Sequence, residues 1–248
     1  KAQRRGGFLE KEPYPLLPMS EITEFSILYD EENLYIGVWC LDSEPGKIKR
    51  QLLPKGTATP DNVDLFIDSY HDHRTGYKFS VSPSGVQVDE LRYDDVKRDF
   101  NWDGIWYSAG STDEKGWYAE MRIPFSSLKF KPENDLVTMG LIISRNISAN
   151  NETDTYPSID PKYGFMATNK PSLARTIEIE GTRPKKPVYI VPYILGGFSR
   201  DWLLNDTETE YVKQDNPKYN AGIDIKYNIN SNLTLDLTAN TDFAQVEA

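Results

Sequence analysis

Cysteine occurs once, at Cys40, in a chain of 248 residues. No internal disulfide can form, so neither an oxidising nor a reducing compartment is implied. Histidine is nearly as scarce, with His71 and His73 both in the polar segment Tyr70-His71-Asp72-His73-Arg74. Alternate residues of an extended segment point the same way, which makes the two imidazoles a candidate metal pair. No third imidazole or free thiolate completes a zinc set, and the segment reads as a solvated turn. Positive charge is also short: Lys+Arg 28 against Asp+Glu 38 gives a net charge of −10 and a sequence pI near 4.8. A polyanion would be repelled overall, which excludes a basic nucleic-acid groove. No apolar run approaches the ~20 residues of a membrane-spanning helix.

Catalytic parts are missing too. Cys40 sits mid-strand in an apolar setting, where a buried thiol is inert. A glycosidase needs two carboxylates about 5–10 Å apart, and the acids are too numerous for sequence to single out a pair. The chain is expected not to be an enzyme. It begins at Lys1 with no methionine or signal-like segment, and reads as a mature or trimmed product.

What the chain does contain is alternation. Leu34, Ile36, Val38 and Cys40 alternate with Tyr35, Gly37, Trp39 and Leu41, so both faces of this strand are apolar, as expected for an inner strand between packed layers. Trp117, Ala119, Met121 and Ile123 face one way while Tyr118, Glu120 and Arg122 face the other, the pattern of a half-buried outer strand. Turn signals recur at short intervals, at Glu31-Glu32-Asn33, Pro83-Ser84-Gly85 and Glu114-Lys115-Gly116. No long stretch carries a 3.6-residue period, so helix is confined to short connectors near residues 124–128 and 45–49, where a proline sits at a first turn. The fold class that follows is all-β, an antiparallel, jelly-roll-like β-sandwich.

Three of the five tryptophans fall in Asn101-Trp102-Asp103-Gly104-Ile105-Trp106 and the following Gly116-Trp117-Tyr118-Ala119-Glu120-Met121-Arg122-Ile123-Pro124-Phe125-Ser126-Ser127-Leu128, read as two strands joined by a hairpin loop. This pair resembles the last hairpin of the family 9-like carbohydrate-binding module. Upstream, Ile27-Leu28-Tyr29-Asp30-Glu31-Glu32-Asn33-Leu34-Tyr35-Ile36-Gly37-Val38 is similar to that family's early hairpin. Asp61-Asn62-Val63-Asp64-Leu65-Phe66-Ile67-Asp68 and Tyr77-Lys78-Phe79-Ser80-Val81-Ser82-Pro83-Ser84-Gly85 are similar to its central pair. The resemblance runs over about residues 23–179 in the family's order. It implies a poly- or oligosaccharide partner.

Beyond Gly181, Thr182-Arg183-Pro184-Lys185-Lys186-Pro187 has the proline and charge density of a stiff linker. The domains are therefore read as a sandwich over 1–181, a linker over 182–187, and a second region over 188–248. There Tyr219, Ala221, Ile223, Ile225, Tyr227 and Ile229 alternate with polar residues and, after the turn Asn230-Ser231-Asn232, Leu233, Leu235, Leu237 and Ala239 do the same. The segment from Val188 to Gly197 supplies a third candidate strand. Such strands are found in ordinary surface hairpins and in transmembrane β-barrels alike. The order resembles Gram-negative outer-membrane proteins in which a family 9-like module precedes a barrel of unassigned function. That resemblance implies an incomplete barrel, a cell outer-membrane location, a sandwich in the periplasm or at the cell surface, and other outer-membrane proteins as partners.

Sugars offer apolar C–H faces ringed by hydroxyls, so their sites combine aromatic rings with amide and carboxylate groups. Trp102 and Trp106, flanked by Asn101 and Asp103 and close in sequence to Tyr93 and Tyr107, are the candidate platform; the alternative is that the tryptophans plug the core. Calcium is implied by the resemblance, with Asp64, Asp68, Asp89 and Asp94 as candidate ligands, although acidic runs are usually solvated faces. Two competing functions are a docking or transport cap that binds no sugar, and a haem module using a methionine such as Met19, Met121, Met139 or Met166 as axial ligand. The polar segment 146–170 is a candidate rim for either a ligand or a partner.

Overall fold

The computed structural model describes residues 3–94, 97–183, 188–205, 207–230 and 233–240. In chain order the strands are β1 (Leu9–Glu12), β2 (Thr23–Tyr29), β3 (Asn33–Leu41), β4 (Asn62–Asp68), β5 (Thr75–Val81), β6 (Gln87–Tyr93), β7 (Lys97–Asp99) and β8 (Tyr107–Asp113). They continue as β9 (Gly116–Pro124), β10 (Leu136–Ile147), β11 (Glu152–Tyr156), β12 (Arg175–Glu180), β13 (Val188–Leu204), β14 (Tyr211–Asn230) and β15 (Leu233–Ala239). Only short 3₁₀ segments of three to five residues interrupt them among the described residues, including Pro45–Lys47 and Phe125–Ser127 where connectors were expected. No described helix is long and apolar enough to cross a membrane.

The chain divides into two compact units, Lys1–Lys185 and Lys186–Ala248. Most of the expected linker, residues 184–187, lies outside the described residues. In the first unit a four-stranded sheet runs β2-β3-β9-β8, and a larger sheet runs β1-β11-β10-β4-β5-β6-β7, with β12 also paired to β10. All these pairings are antiparallel. The long β10 serves two neighbours on one side, holding β12 along its first half and β11 along its second.

One contiguous core joins the two sheets. Leu34, Ile36, Val38 and Cys40 of β3 and Trp117, Ala119, Met121 and Ile123 of β9 meet Val63, Leu65 and Ile67 of β4 and Phe79 and Val81 of β5. Each set is a run of alternate residues, so the two-residue period selects the buried face of each strand. The strand predicted to be apolar on both faces is in fact two-sided: Tyr35, Gly37 and Trp39 are only partly buried. β9 is half-buried as its alternation indicates, with Trp117, Ala119, Met121 and Ile123 inward and Glu120 and Arg122 exposed, and it lies between β3 and β8. The stretch 101–106 is not a strand; it is a loop that leads into β8.

Hairpin turns are closed by acids. Asp30 Oδ1 accepts from the backbone N–H groups of Glu32 (2.8 Å) and Asn33 (2.7 Å), linking β2 to β3. Asp113 Oδ1 accepts from Lys115 N at 2.7 Å between β8 and β9. Gly116, at φ +140°, completes that turn where a Cβ would strike the backbone of Cys40 and Leu41. The segment expected to be a polar loop, 146–170, contains β11 and short turns whose Ile159 and Ala167 pack with Phe66 and Ile142 in a second cluster.

The second unit is a three-stranded sheet in the order β13-β14-β15. Register places Val188, Ile190, Pro192, Ile194, Gly196 and Phe198 opposite Tyr227, Ile225, Ile223, Ala221, Tyr219 and Pro217. On β15, Leu235, Leu237 and Ala239 continue the same rows. One face is thus apolar row after row, until Arg200 meets Asp215 in an ion pair at 2.7 Å. The other face carries pairs such as Val191 with Asp224, Gly197 with Lys218 and Ser199 with Asn216.

Candidate functional site

The outward face of the four-stranded sheet forms a grid set by register. One row reads Leu28, Tyr35, Arg122, Tyr107; the next reads Ser26, Gly37, Glu120, Ala109; the third reads Glu24, Trp39, Tyr118, Ser111. The middle row is low, because only Glu120 among its four residues has a long side chain. The outer rows carry the aromatic rings. Between them lies a groove of about 470 Å³, lined by residues of all four strands, Tyr35, Trp39, Tyr107, Glu120 and Arg122 among them.

Each ring is held in place by its surroundings. Tyr35 Oη donates to Asp30 Oδ2 at 2.9 Å, and Tyr118 Oη donates to Asp113 Oδ2 at 2.8 Å. Both phenols are raised above the ordinary tyrosine range, first by those hydrogen bonds to carboxylates. Asp30 is in turn lowered, chiefly by the N–H of Glu32. The hairpin acids therefore close the turns and also fix two rings of the face. The Trp39 indole lies beside Gly37, its Cη2 3.4 Å from where a Cβ on that glycine would stand. Arg122 stacks its guanidinium 4.0 Å from the Tyr107 ring centre, and Arg4 stacks 4.2 Å from that of Trp39 while pairing with Glu24 at 3.3 Å. Tyr107 is 47% exposed. Glu120 and Arg122 are exposed and enter no ion pair with another described residue. The arrangement offers flat aromatic surfaces, a carboxylate acceptor and a guanidinium donor along one channel.

Of the six residues expected to form a platform, only Tyr107 reaches this groove. Trp106 is 5% exposed and its ring meets Phe79 at 5.1 Å, so it is a core residue with no face open to solvent. Trp102 is partly buried against Tyr77 (4.7 Å) and Phe79 (5.8 Å). Asn101 and Asp103 are exposed on the same loop, Asp103 paired with Lys55. Tyr93, at the end of β6, lies under Lys97 at 5.6 Å. The groove residues that sequence reasoning passed over include Tyr35, Trp39, Glu120 and Arg122. The signal was present in the alternation of β3 and β9, but nothing in the sequence showed which face stays uncovered.

The expected acidic cluster does not assemble. Asp64 pairs with Lys78 (2.8 Å), Asp89 with Lys55 (3.3 Å), and Asp94 with Arg74 (2.9 Å) and Lys97 (3.1 Å). Asp68 is buried and accepts from His73 N at 2.9 Å, while burial raises its pKa. Cations or backbone donors thus engage each of the four separately. Among the described residues no group of three or more His, Cys, Asp or Glu side chains could hold a metal ion. His71 and His73 do meet, edge to face with ring centres 4.5 Å apart, but among the described residues no third ligand joins them. Met121 and Met139, candidate haem ligands, are buried in the core.

Residues 20–170 match the profile of the carbohydrate family 9 binding domain-like family. The chain belongs to that family. Modules of this family are non-catalytic binding domains, and residues 20–170 contain both sheets' central strands and the groove. Residues 188–248 match a domain of unknown function, DUF5916. Among solved structures, a candidate carbohydrate-binding protein from Bacteroides uniformis is similar in fold, with a TM-score of 0.58 at 13% identity over 72% of this chain and 87% of that one. A family 9 carbohydrate-binding module from Caldicellulosiruptor kristjanssonii, solved with cellotriose, matches with a TM-score of 0.48 at 18% identity over 75% of this chain and 89% of its own. No curated protein sequence matches the chain.

Proposed function

We propose that the first unit is a non-catalytic carbohydrate-binding module and that the groove on its four-stranded sheet receives the sugar. The observation that carries this is the row of aromatic rings, Trp39 with Tyr35 and Tyr107, on either side of a low floor. Aromatic faces bury the C–H surface of a pyranose, and Glu120 and Arg122 supply an acceptor and a donor for its hydroxyls. Family membership supports the same ligand class. Calorimetric titration of the chain with an oligosaccharide panel tests it. Trp39→Ala and Tyr107→Ala are each expected to weaken binding about tenfold or more, in the range of truncated aromatic hot spots, without lowering the melting temperature. Unchanged affinity in both variants would place the site elsewhere.

A second reading concerns Lys186–Ala248, which we read as part of an outer-membrane β-barrel that tethers the module at the cell envelope. Supporting it is the apolar face of β13 and β14. Its rows run from Val188 to Phe198, roughly 33 Å along the strand at ~3.3 Å per residue, or about 25 Å at a 40° tilt. That is the height of a barrel's lipid-facing band. Tyr227 at one end and Tyr219 and Trp202 towards the other flank it as an aromatic girdle would. Liposome flotation of the full chain is expected to carry wild type with the lipid and to leave Ile225→Lys behind. A wild type that stays in the aqueous fraction refutes this reading.

A further inference from the structure

We infer that His71 and His73 form a two-imidazole site for a divalent transition-metal ion of borderline softness, such as Cu2+. The site lies in the turn between β4 and β5 and is independent of the groove and of the carbohydrate reading. Three observations carry it. First, the two rings meet, their centres 4.5 Å apart. The turn brings them together by holding both residues at left-handed φ, +52° at His71 and +58° at His73. Glycine adopts such angles freely and side chains resist them, so two histidines there are held by their surroundings. The buried Asp68 carboxylate accepts from Asp72 N at 3.2 Å and from His73 N at 2.9 Å. Asp72 Oδ1 in turn accepts from Arg74 N and Thr75 N, both at 2.8 Å. The pair is therefore positioned before any ion arrives.

Second, each ring has one nitrogen engaged and one open. His71 Nε2 lies 3.2 Å from Thr176 Oγ1 on β12, and His73 Nδ1 faces Asp68 Oδ2 at 3.7 Å. His71 Nδ1 and His73 Nε2 have no partner among the described residues. An oxygen behind one ring nitrogen, with the other nitrogen left for the ion, is the arrangement that orients metal-binding histidines. Third, the charge behind the pair is uncompensated. Asp68 is 0% exposed, and among the described residues no lysine or arginine pairs with it. An ion on His73 would bring positive charge to that carboxylate, whereas the neighbouring Arg74 is committed to Asp94 at 2.9 Å. The ligand set also selects the metal. Imidazole suits copper, nickel and zinc, while calcium and magnesium need oxygen ligands. The Asp72 carboxylate is already taken by the backbone of its own turn and by the Thr75 hydroxyl. Two protein ligands leave the remaining positions to water, an open site and not a closed structural one.

The test is titration of the full chain with Cu2+ in a non-coordinating buffer, read by calorimetry and by electron paramagnetic resonance, beside His71→Asn and His73→Asn. Asparagine tolerates left-handed φ, so each variant keeps the turn and loses only an imidazole; circular dichroism checks that both fold. Wild type is expected to bind one ion at this site, with splitting from two imidazole nitrogens. Each variant is expected to bind it about tenfold or more weakly, because the second imidazole acts as an intramolecular ligand. Excess Ca2+ is expected to leave the binding unchanged. Copper held elsewhere, by surface carboxylates or the amino terminus, would persist equally in all three proteins, so equal affinity across them overturns the inference. Loss in one variant only, splitting from fewer than two nitrogens, or displacement by calcium overturns it as well. Should one variant fail to fold, the nitrogen splitting of wild type and the affinity of the other variant decide the matter.

Discussion

Replacing Asp154 with asparagine should abolish the pH dependence that this one carboxyl imposes on the fold. Asp154 lies on β11 directly opposite Arg145 on β10, is 0% exposed, and has no hydrogen-bond partner for either carboxylate oxygen among the described residues. The Arg145 guanidinium is engaged elsewhere, donating to the Leu41 carbonyl at 2.8 Å and pairing with Asp42 at 3.4 Å. Burial, with the nearby Glu152 and Glu10 carboxylates adding to it, pushes the Asp154 pKa from 3.8 up to about 8. Because the folded value lies above the unfolded one, the stabilising contribution is complete below about pH 4 and is lost as pH rises through 8. Across that window the unfolded chain is ionised while the folded chain retains the proton. Each pH unit then removes about 1.4 kcal/mol. Between pH 5 and pH 8 the loss is on the order of 4 kcal/mol, a large share of a domain's total stability. The amide of Asp154→Asn does not titrate, so this part of the slope should vanish. Urea unfolding at pH 5, 6, 7 and 8, followed by the fluorescence of the buried Trp117, measures it for both proteins. Titrating groups remote from Asp154 are common to the pair and cancel in the difference. Parallel stability curves for the two proteins would refute a neutral, solvent-excluded Asp154.

Four further outcomes are expected. Trp106→Ala should destabilise the first unit by about 3–5 kcal/mol, the usual cost of emptying a core aromatic site, whereas Trp39→Ala should leave the melting temperature nearly unchanged; thermal melts of the two variants make the comparison. Cys40 is fully buried and burial pushes its thiol up to about 12, so a disulfide reagent at pH 8 should label the native protein negligibly and the urea-unfolded protein stoichiometrically. Gly76→Ala places a methyl group inside the volume of the Phe66 ring and should cost about 1–3 kcal/mol, a loss that Phe66→Leu in the same chain should partly restore in denaturant titrations. Arg4→Ala uncovers the Trp39 ring, and since an exposed cation–π contact contributes about 0.5–1 kcal/mol, glycan affinity measured by calorimetry should rise about two- to five-fold.

Local features of the chain account for what could be read without coordinates. The two-residue period of Trp117 to Ile123 selected its buried side correctly, since pleating alone sends alternate side chains to opposite faces. The segments Glu31-Glu32-Asn33 and Glu114-Lys115-Gly116 marked turns through side-chain and backbone chemistry that operates over three or four residues. Proline at a first turn located the short connectors at 45–47 and 125–127. The alternation in β13, β14 and β15 likewise predicted an apolar face that the register confirms row by row.

The groove and the roles of individual tryptophans were not available at that level. Tyr35, Gly37 and Trp39 read as a second apolar face, and therefore as the mark of an inner layer. Whether such a face is covered depends on what packs above it, and the sheet order leaves this one bare. Trp102 and Trp106 looked as suited to an exposed platform as Trp39 does, until the loop 101–106 turned them towards Tyr77 and Phe79. The candidate calcium ligands were chosen for their acidity and their places in the sequence, while the fold gives each its own cation or backbone donor. Sequence by itself thus determined the all-β class, the turns and the inward faces, because those follow from geometry within one strand or one turn. The binding groove, the core tryptophan and the dispersed acids were decided only by tertiary structure, because each depends on register and layering between residues as far apart as Ser26 and Ala109.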